Sequence, residues 1–123
     1  MFEVKIRESI MIAHSLPDPF FGPAQNMHGA TYVVDVSFQS ESLNLQNVVI
    51  DIGEAKTITK QVLAKLNYKN LDELPEFEGQ LTTTEFLAKY IHDQIKAIIQ
   101  VNFDCSLKVC LGETHDAWAS YQG

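Results

Sequence analysis

Residues 2–16 alternate between apolar and polar side chains, and this pattern restricts the fold more than any other feature of the sequence. A period of two residues places every second side chain on the same face of a strand. One face is polar, and the other carries Phe2, Val4, Ile6, Ile10, Ile12, His14 and Leu16. The pattern predicts a long strand with one buried side, so another layer of structure must cover that side.

The rest of the chain predicts three more strands and two helices. A second alternating strand runs from about His28 to Gln39, and "SLKVCLGET" and "AWASYQ" predict the last two strands. Between them lie two apolar stripes with the 3.6-residue period of a helix, the first after Gly53 and the second after "TTTE". The stripes consist of Ala55, Ile58, Val62, Leu63 and Leu66, and of Phe86, Leu87, Tyr90, Ile91, Ile95, Ile98 and Ile99.

This order predicts an α+β fold, a ββααββ antiparallel sheet with two helices on one face. A chain of 123 residues has the size of one domain, which we expect to span residues 1–123. Four strands leave two open sheet edges, and such edges are usually relieved by pairing with a neighbour. We therefore expect a homo-oligomer that associates through its sheet edges.

Charge and composition exclude several classes of function. The formal net charge of −7 argues against binding to nucleic acid or to an anionic membrane surface. No apolar run is long enough to span a membrane, and charges within "MFEVKIRESIMIAHS" argue against a signal peptide. Cys105 and Cys110 would face opposite sides of one strand and could not pair, so we expect reduced thiols and a cytoplasmic protein.

Two histidines stand at the loop ends of the first two strands. His14 and His28 each share the parity of their strand's apolar face, so the two imidazoles are expected to approach each other. Zinc accepts imidazole nitrogens, but catalytic zinc sites use three protein ligands. A pair of buried, hydrogen-bonded histidines is therefore the simpler interpretation, and a metal site stays open as the alternative.

Glu113 continues the apolar parity of Leu107, Val109 and Leu111. A buried carboxylate is unfavourable unless it is paired or hydrogen-bonded, so Glu113 either lies in solvent at the strand end or binds a donor-rich partner. A 2-amino-4-oxo-pyrimidine ring, which has adjacent N–H donors, would satisfy both carboxylate oxygens. In "TTTE", Thr82 and Glu85 fit a capping box, which leaves the hydroxyls of Thr83 and Thr84 for a ligand.

Five segments together resemble the 6-pyruvoyl tetrahydropterin synthase and 6-carboxytetrahydropterin synthase family. They are "SIMIAHSL", "NMHGATYVVDV", "VVIDIGEAKTITKQVLAKLN", "TTTEFLAKYI" and "LKVCLGET", and they follow one another in the family's order and spacing. The resemblance implies a tunnelling T-fold subunit, trimers or hexamers joined through the sheets, and a pterin-like ligand. It also implies that Thr83, Thr84 and Glu113 anchor the pterin.

The same resemblance implies that the reacting groups are missing. The family holds zinc with three histidines, which correspond here to His14, His28 and Ala30. Its cysteine corresponds to Ala24, and its Asp-His pair to Asn67 and Tyr68. His14 and His28 would then be the remainder of an incomplete zinc site, with zinc as a doubtful cofactor.

Three interpretations follow from this combination. The first, which we favour, is a pterin-binding family member whose zinc-dependent lyase activity is lost or altered. The second is an enzyme acting on a related pterin or purine through relocated groups such as Tyr68, His92 or His115. The third is a structural oligomer in which Glu113 makes a subunit contact. The fold does not decide among them, because function depends on the site.

Overall fold

The computed structural model describes residues 1–99 and 106–123. Within these residues, five strands and two α-helices follow the predicted order, with one short strand added between the helices. In chain order they are β1 (Phe2–His14), β2 (His28–Ser40), α1 (Ile52–Leu63), β3 (Lys69–Asn70), α2 (Thr84–Ile99), β4 (Ser106–Thr114) and β5 (Ala117–Gln122). The prediction for Cys105 lies outside the described residues, and Cys110 is a free, half-buried thiol.

The strands form one sheet in the order β3-β1-β2-β4-β5. All neighbours are antiparallel except the two-residue β3, which runs parallel to β1. In the long β1–β2 ladder, Phe2 lies opposite Ser40 at one end and His14 lies opposite His28 at the other. This register brings the two histidines together at the end of the sheet that carries the loop between β1 and β2.

Both helices pack on the same face of the sheet, α1 against β1 and α2 against β4 and β5. The predicted apolar faces meet in this layer, where Val34, Val36, Phe38, Leu107 and Leu111 are fully buried. The predicted helical stripes are confirmed except at Ile98, which is 39% exposed. His92, about two turns before the end of that stripe, is buried instead. The structure therefore confirms the predicted α+β layer arrangement.

The capping box predicted at the start of α2 is wrong in its register. The helix begins at Thr84, and Thr83 is the residue that caps it, because its hydroxyl accepts a hydrogen bond from Phe86 N at 3.1 Å. Thr82 is buried one residue earlier, and its hydroxyl lies 2.9 Å from His14 Nδ1. The Thr82 hydroxyl, which the sequence pattern assigned to the cap, therefore contacts His14 instead.

The face of the sheet without helices is polar and carries one buried carboxylate. Asp35 on β2 accepts two hydrogen bonds from Arg7 on β1, at 2.7 and 2.8 Å. This paired geometry satisfies both carboxylate oxygens and explains how Asp35 is buried within a sheet surface.

In the part of the chain that the structure describes, no helix is both long and apolar enough to cross a membrane.

Candidate functional site

A cavity of about 220 Å³ lies at the end of the sheet where His14 and His28 meet. Four elements build it: β1 and β2, which are joined by a connecting segment that also contributes, the start of α2, and the end of β4. It is lined by His14, Leu16, Phe21, Ala24, His28, Tyr32, Thr83, Thr84, Glu85 and Glu113. The structure thus gathers into one cavity the five residues for which the sequence predicts binding roles.

The two imidazoles are in contact, as predicted. Their ring centroids are 4.6 Å apart, with an angle of 67° between the ring planes. His28 Nδ1 lies 2.8 Å from the carbonyl oxygen of Asn26. Because a carbonyl only accepts hydrogen bonds, His28 Nδ1 carries the hydrogen, and Nε2 is the nitrogen left to interact with a ligand.

His14 is more enclosed than its partner and is only 2% exposed. Burial lowers the pKa of its imidazole, and the nearby His28 lowers it further, with smaller opposing effects from Asp72, Thr82 and Glu113. The ring is therefore neutral at pH 7, as expected for an imidazole whose charged form would lose hydration.

Glu113 stands at an irregularity in the sheet. The β4–β5 register shifts between Gly112 and Thr114, and Glu113 is the extra residue at this bulge. Its side chain is exposed, and Thr84 Oγ1 donates a weak hydrogen bond of 3.4 Å to Oε2. The carboxylate therefore keeps most of its capacity to accept hydrogen bonds from another molecule.

A second cavity of about 360 Å³ adjoins the first at Glu113. It shares Thr84, Glu85 and Glu113 with the first cavity and continues along β5 from Ala117 to Ser120. Small-molecule sites in proteins commonly occupy about 300–1,000 Å³, so the two cavities together reach the size of a ligand site. Glu113 lies in the wall that they have in common.

Sequence reasoning missed four residues of the cavity wall, namely Leu16, Phe21, Tyr32 and Glu85. Tyr32 could have been found, because it shares the strand face of His28 and Ala30. It is 1% exposed, and burial raises the pKa of its phenol, although a hydrogen bond with Thr84 opposes this shift. Phe21 lies in a short 3-10 helix (Pro19–Gln25) between β1 and β2, and Glu85 lies at the start of α2. At neither place does a sequence period mark the inward side.

The four positions that the resemblance assigns to reacting groups lie in two separate parts of the structure. Ala24 lines the cavity, and Ala30 is half-buried on the same face of β2 as His28. Asn67 and Tyr68 lie instead beside the outer edge of β1. Asn67 Oδ1 accepts a hydrogen bond from Met11 N at 3.0 Å, and Tyr68 is 79% exposed. Neither of these two residues lines the cavity of its own chain.

The side chains present do not fit a three-histidine zinc site. His14 and His28 supply two imidazoles, and Ala30 supplies no donor atom. Across residues 1–99 and 106–123, no group of three or more His, Cys, Asp or Glu side chains is placed to hold a metal ion. Glu113, although it lines the same cavity, does not complete such a group.

The relocated groups considered above lie elsewhere in the chain. His92 is buried on α2, where its ring nitrogens lie 2.8 Å from Asp93 Oδ1 and 3.1 Å from the Gly123 carbonyl. His115 is exposed in the turn between β4 and β5. Neither of them lines the cavity, and Tyr68 does not either. Within one chain, the structure brings none of these three groups to the candidate site.

The fold and the cavity define a T-fold subunit, and comparisons with known proteins identify the family. Residues 3–123 match the family described as 6-pyruvoyl tetrahydropterin synthase. The chain belongs to this family.

Individual relatives agree over most of the chain. The 6-pyruvoyl tetrahydrobiopterin synthase of Dictyostelium discoideum is 34% identical over 84% of this chain and 76% of its own. The 6-carboxy-5,6,7,8-tetrahydropterin synthase of Bacillus subtilis is 25% identical over 98% of this chain and 85% of its own. Among solved structures, the 6-pyruvoyl tetrahydropterin synthase of Caenorhabditis elegans superposes with a TM-score of 0.86 at 25% identity, covering 99% of this chain and 95% of its own.

Proposed function

We propose that this protein binds a pterin and that the zinc-dependent lyase activity of its family is lost or altered. The observation that supports the proposal is which residues stand at the cavity and which are replaced by alanine. Glu113, Thr83 and Thr84 are gathered there, whereas Ala24 and Ala30 occupy positions that carry reacting groups in the family resemblance. Family membership supports the pterin as the class of ligand.

Glu113 recognises the pyrimidine edge of the pterin. The 2-amino group and the adjacent ring N–H donate in parallel to the two carboxylate oxygens, a geometry that fixes the orientation of the ring. Thr84 Oγ1 already lies 3.4 Å from Oε2, at the side of the carboxylate. The hydroxyl hydrogen of Thr83 is free for the ligand, because this hydroxyl only accepts in the cap.

The missing groups account for the loss or change of activity. The family resemblance implies a reaction in which zinc would polarise the hydroxyl groups of the pterin side chain and acid–base residues would move the protons. A positioned acid or base contributes about 10²- to 10⁴-fold to a rate, so the loss of several such groups removes the usual reaction. Ala24 supplies no proton-transferring group, Ala30 supplies no zinc ligand, and the Asn67 amide is not a base.

Equilibrium titration with neopterin, followed by its fluorescence, tests the proposal. Removing a charge-assisted hydrogen bond costs about 1.5–3 kcal/mol, so Glu113→Gln should weaken binding about 10- to 100-fold. Glu41→Gln is a matched control, because Glu41 is exposed at the opposite end of the sheet. No binding to the wild type, or equal binding by Glu113→Gln, would refute pterin recognition by Glu113.

Incubation with dihydroneopterin triphosphate tests the catalytic half of the proposal. Product chromatography should show no conversion at rates typical of the family. Turnover at such rates would contradict the assignment of lost or altered chemistry and would favour relocated catalytic groups.

A further inference from the structure

His28 and Glu113 line one cavity from two neighbouring strands. Val33 on β2 lies opposite Gly112 on β4, so the register, continued by one residue, places Glu113 level with Tyr32. His28 lies four residues farther along β2, which at about 3.3 Å per residue is ~13 Å. This spacing leaves room between the two side chains for a fused two-ring ligand. Both groups belong to the same chain, so the spacing holds whatever a second copy adds at the sheet edges.

His28 presents a hydrogen-bond acceptor to this cavity. Its Nδ1–H donates to the Asn26 carbonyl at 2.8 Å, so in the neutral ring the lone pair is on Nε2. A ligand at this end of the cavity therefore meets an imidazole nitrogen that accepts a hydrogen bond.

His14 fixes the orientation of the His28 ring. The two rings meet edge to face with their centroids 4.6 Å apart, and His14 Nδ1 is itself held 2.9 Å from the Thr82 hydroxyl. The His28 ring is thus constrained both by the Asn26 carbonyl and by the contact with His14, which sets the direction of Nε2. His14 is a positioning residue, and His28 is the residue that contacts the ligand.

The end of a pterin that lies away from Glu113 carries the substituent at C6. When the amino-pyrimidine edge is bound by the carboxylate, the pyrazine ring and this substituent extend toward the other wall of the cavity. The pyrazine nitrogens of an oxidised pterin only accept hydrogen bonds, so they do not match His28 Nε2. A hydroxyl on the first carbon of the substituent donates a hydrogen bond and does match it.

We propose that His28 Nε2 binds a hydroxyl of the pterin side chain directly, so that the site selects pterins with a hydroxylated C6 substituent. This inference rests on the proposed function, because it specifies the side chain of the ligand that Glu113 holds. The two imidazoles then form a hydrogen-bonding subsite, which needs no third histidine at Ala30.

Titration of the full chain with 6-hydroxymethylpterin and 6-methylpterin tests this inference, because the two ligands differ by one hydroxyl. The wild type should bind the hydroxymethyl compound about three- to tenfold more tightly, the worth of one neutral hydrogen bond. The preference should be the same before and after treatment with EDTA. Equal binding of the two ligands, or a preference that EDTA abolishes, would overturn direct recognition by His28 while leaving pterin binding intact. Failure of both ligands to bind would instead overturn the proposed function.

Substitution of His28 assigns the preference to its side chain. His28→Phe keeps an aromatic ring but removes Nε2, so this variant should still bind 6-methylpterin and should bind the two ligands equally. His28→Ala provides the same test if the larger ring disturbs the cavity. His115→Phe is the matched control, because His115 is exposed in the β4–β5 turn outside the cavity, and it should keep the wild-type preference. A preference that survives substitution of His28 would assign the hydroxyl to another group and overturn the inference.

Discussion

Ala30 is the single residue on which metal binding at this cavity depends most directly. It shares a strand face with His28 and lies opposite Ile12, next to the His14–His28 pair in the β1–β2 ladder. Side chains directly opposite each other on antiparallel strands have Cβ atoms about 4.5–5.5 Å apart, and diagonal neighbours, such as positions 14 and 30, are about 7–8 Å apart, still within reach of long side chains. An imidazole at position 30 would therefore stand within reach of both histidines.

Ala30→His should create a zinc site by adding a third imidazole to the His14–His28 pair. Three imidazoles on one sheet face supply the ligand number of a catalytic zinc site, so the variant should retain about one zinc per chain after dialysis. Elemental analysis measures the metal content. Ala13→His is the matched control, because Ala13 pairs with Gly29 on the opposite face of the same strands. Stoichiometric zinc in the wild type, or none in Ala30→His, would contradict this account.

Asp35 provides a prediction about pH. Its hydrogen bonds from Arg7 hold the pKa of the carboxyl below the ordinary value of 3.8, and burial only partly opposes this shift. A carboxyl whose pKa is lower in the folded than in the unfolded protein stabilises the fold at any pH above its unfolded-state pKa. This stabilisation is lost as the pH falls through the folded-state pKa. Asp35→Ala should therefore cost about 1–3 kcal/mol near neutral pH and progressively less below about pH 4. Urea unfolding of both proteins between pH 3 and 7 measures the difference, and a cost that does not decline with acid would contradict the role of the charge.

Individual residues also show where sequence reasoning reaches its limit. The parity of His14, His28 and Glu113 predicts their side of the sheet, and the structure places all three in one cavity. The sequence could not predict that Thr82 contacts His14 and Thr83 caps α2, because consecutive threonines offer identical hydroxyls. The contact with His14, which is 68 positions away in sequence, decides which threonine caps the helix.

At the scale of secondary structure, the β4–β5 hairpin sets the position of Glu113. Gly112 pairs with Trp118 just before the bulge, and Trp118 Nε1 donates to the His115 carbonyl at 3.2 Å. A Cβ atom on residue 112 would come within 2.6 Å of the Trp118 indole. The glycine is therefore required by the close approach of the indole, which in turn fixes the turn that follows Glu113.

Gly112→Ala should destabilise the protein by about 1–3 kcal/mol, the usual cost of overpacking. In a Trp118→Ala background the same substitution should cost much less, because the obstructing ring is gone. A double-mutant cycle by chemical unfolding measures this coupling. Equal costs of Gly112→Ala in both backgrounds would show that the indole does not impose the glycine.

The strands and helices were predictable where their periods were long and regular. β1 and β2 carry strict alternation over most of their length, and both helical stripes reappear in the core. The two-residue β3 was not predictable, because it pairs with β1 through backbone groups and leaves no side-chain pattern. The bulge at Glu113 also leaves no pattern in the sequence, since it is defined by the register between β4 and β5.

At the scale of the whole molecule, the sheet formed by residues 1–99 and 106–123 has two edges, one along β1 and β3 and the other along β5. Beyond its short pairing with β3 and the contacts of Met11 with Asn67 and Tyr68, β1 has a long outer edge from Phe2 to about Ile10. Open edges of this length favour pairing with another chain, and head-to-tail pairing closes into a ring. We propose that the protein is a trimer or a hexamer joined through these edges.

Light scattering coupled to size-exclusion chromatography measures this assembly directly. The expected mass is three or six times the 13.9 kDa of one chain. A monomer at micromolar concentration would contradict association through the sheet edges. A lysine introduced at an apolar position of the β1 edge, such as Phe2→Lys, should weaken the assembly, because a charge at an edge opposes pairing.

Competition between pterin and lumazine tests most directly whether Glu113 binds the amino-pyrimidine edge of a pterin. Lumazine carries an oxygen in place of the 2-amino group, so one parallel hydrogen bond becomes a contact between two acceptors. The wild type should therefore bind pterin at least about tenfold more tightly than lumazine, the worth of one charge-assisted hydrogen bond. Glu113→Ala should reduce this preference to near unity. Equal affinity of the wild type for the two rings would contradict the account.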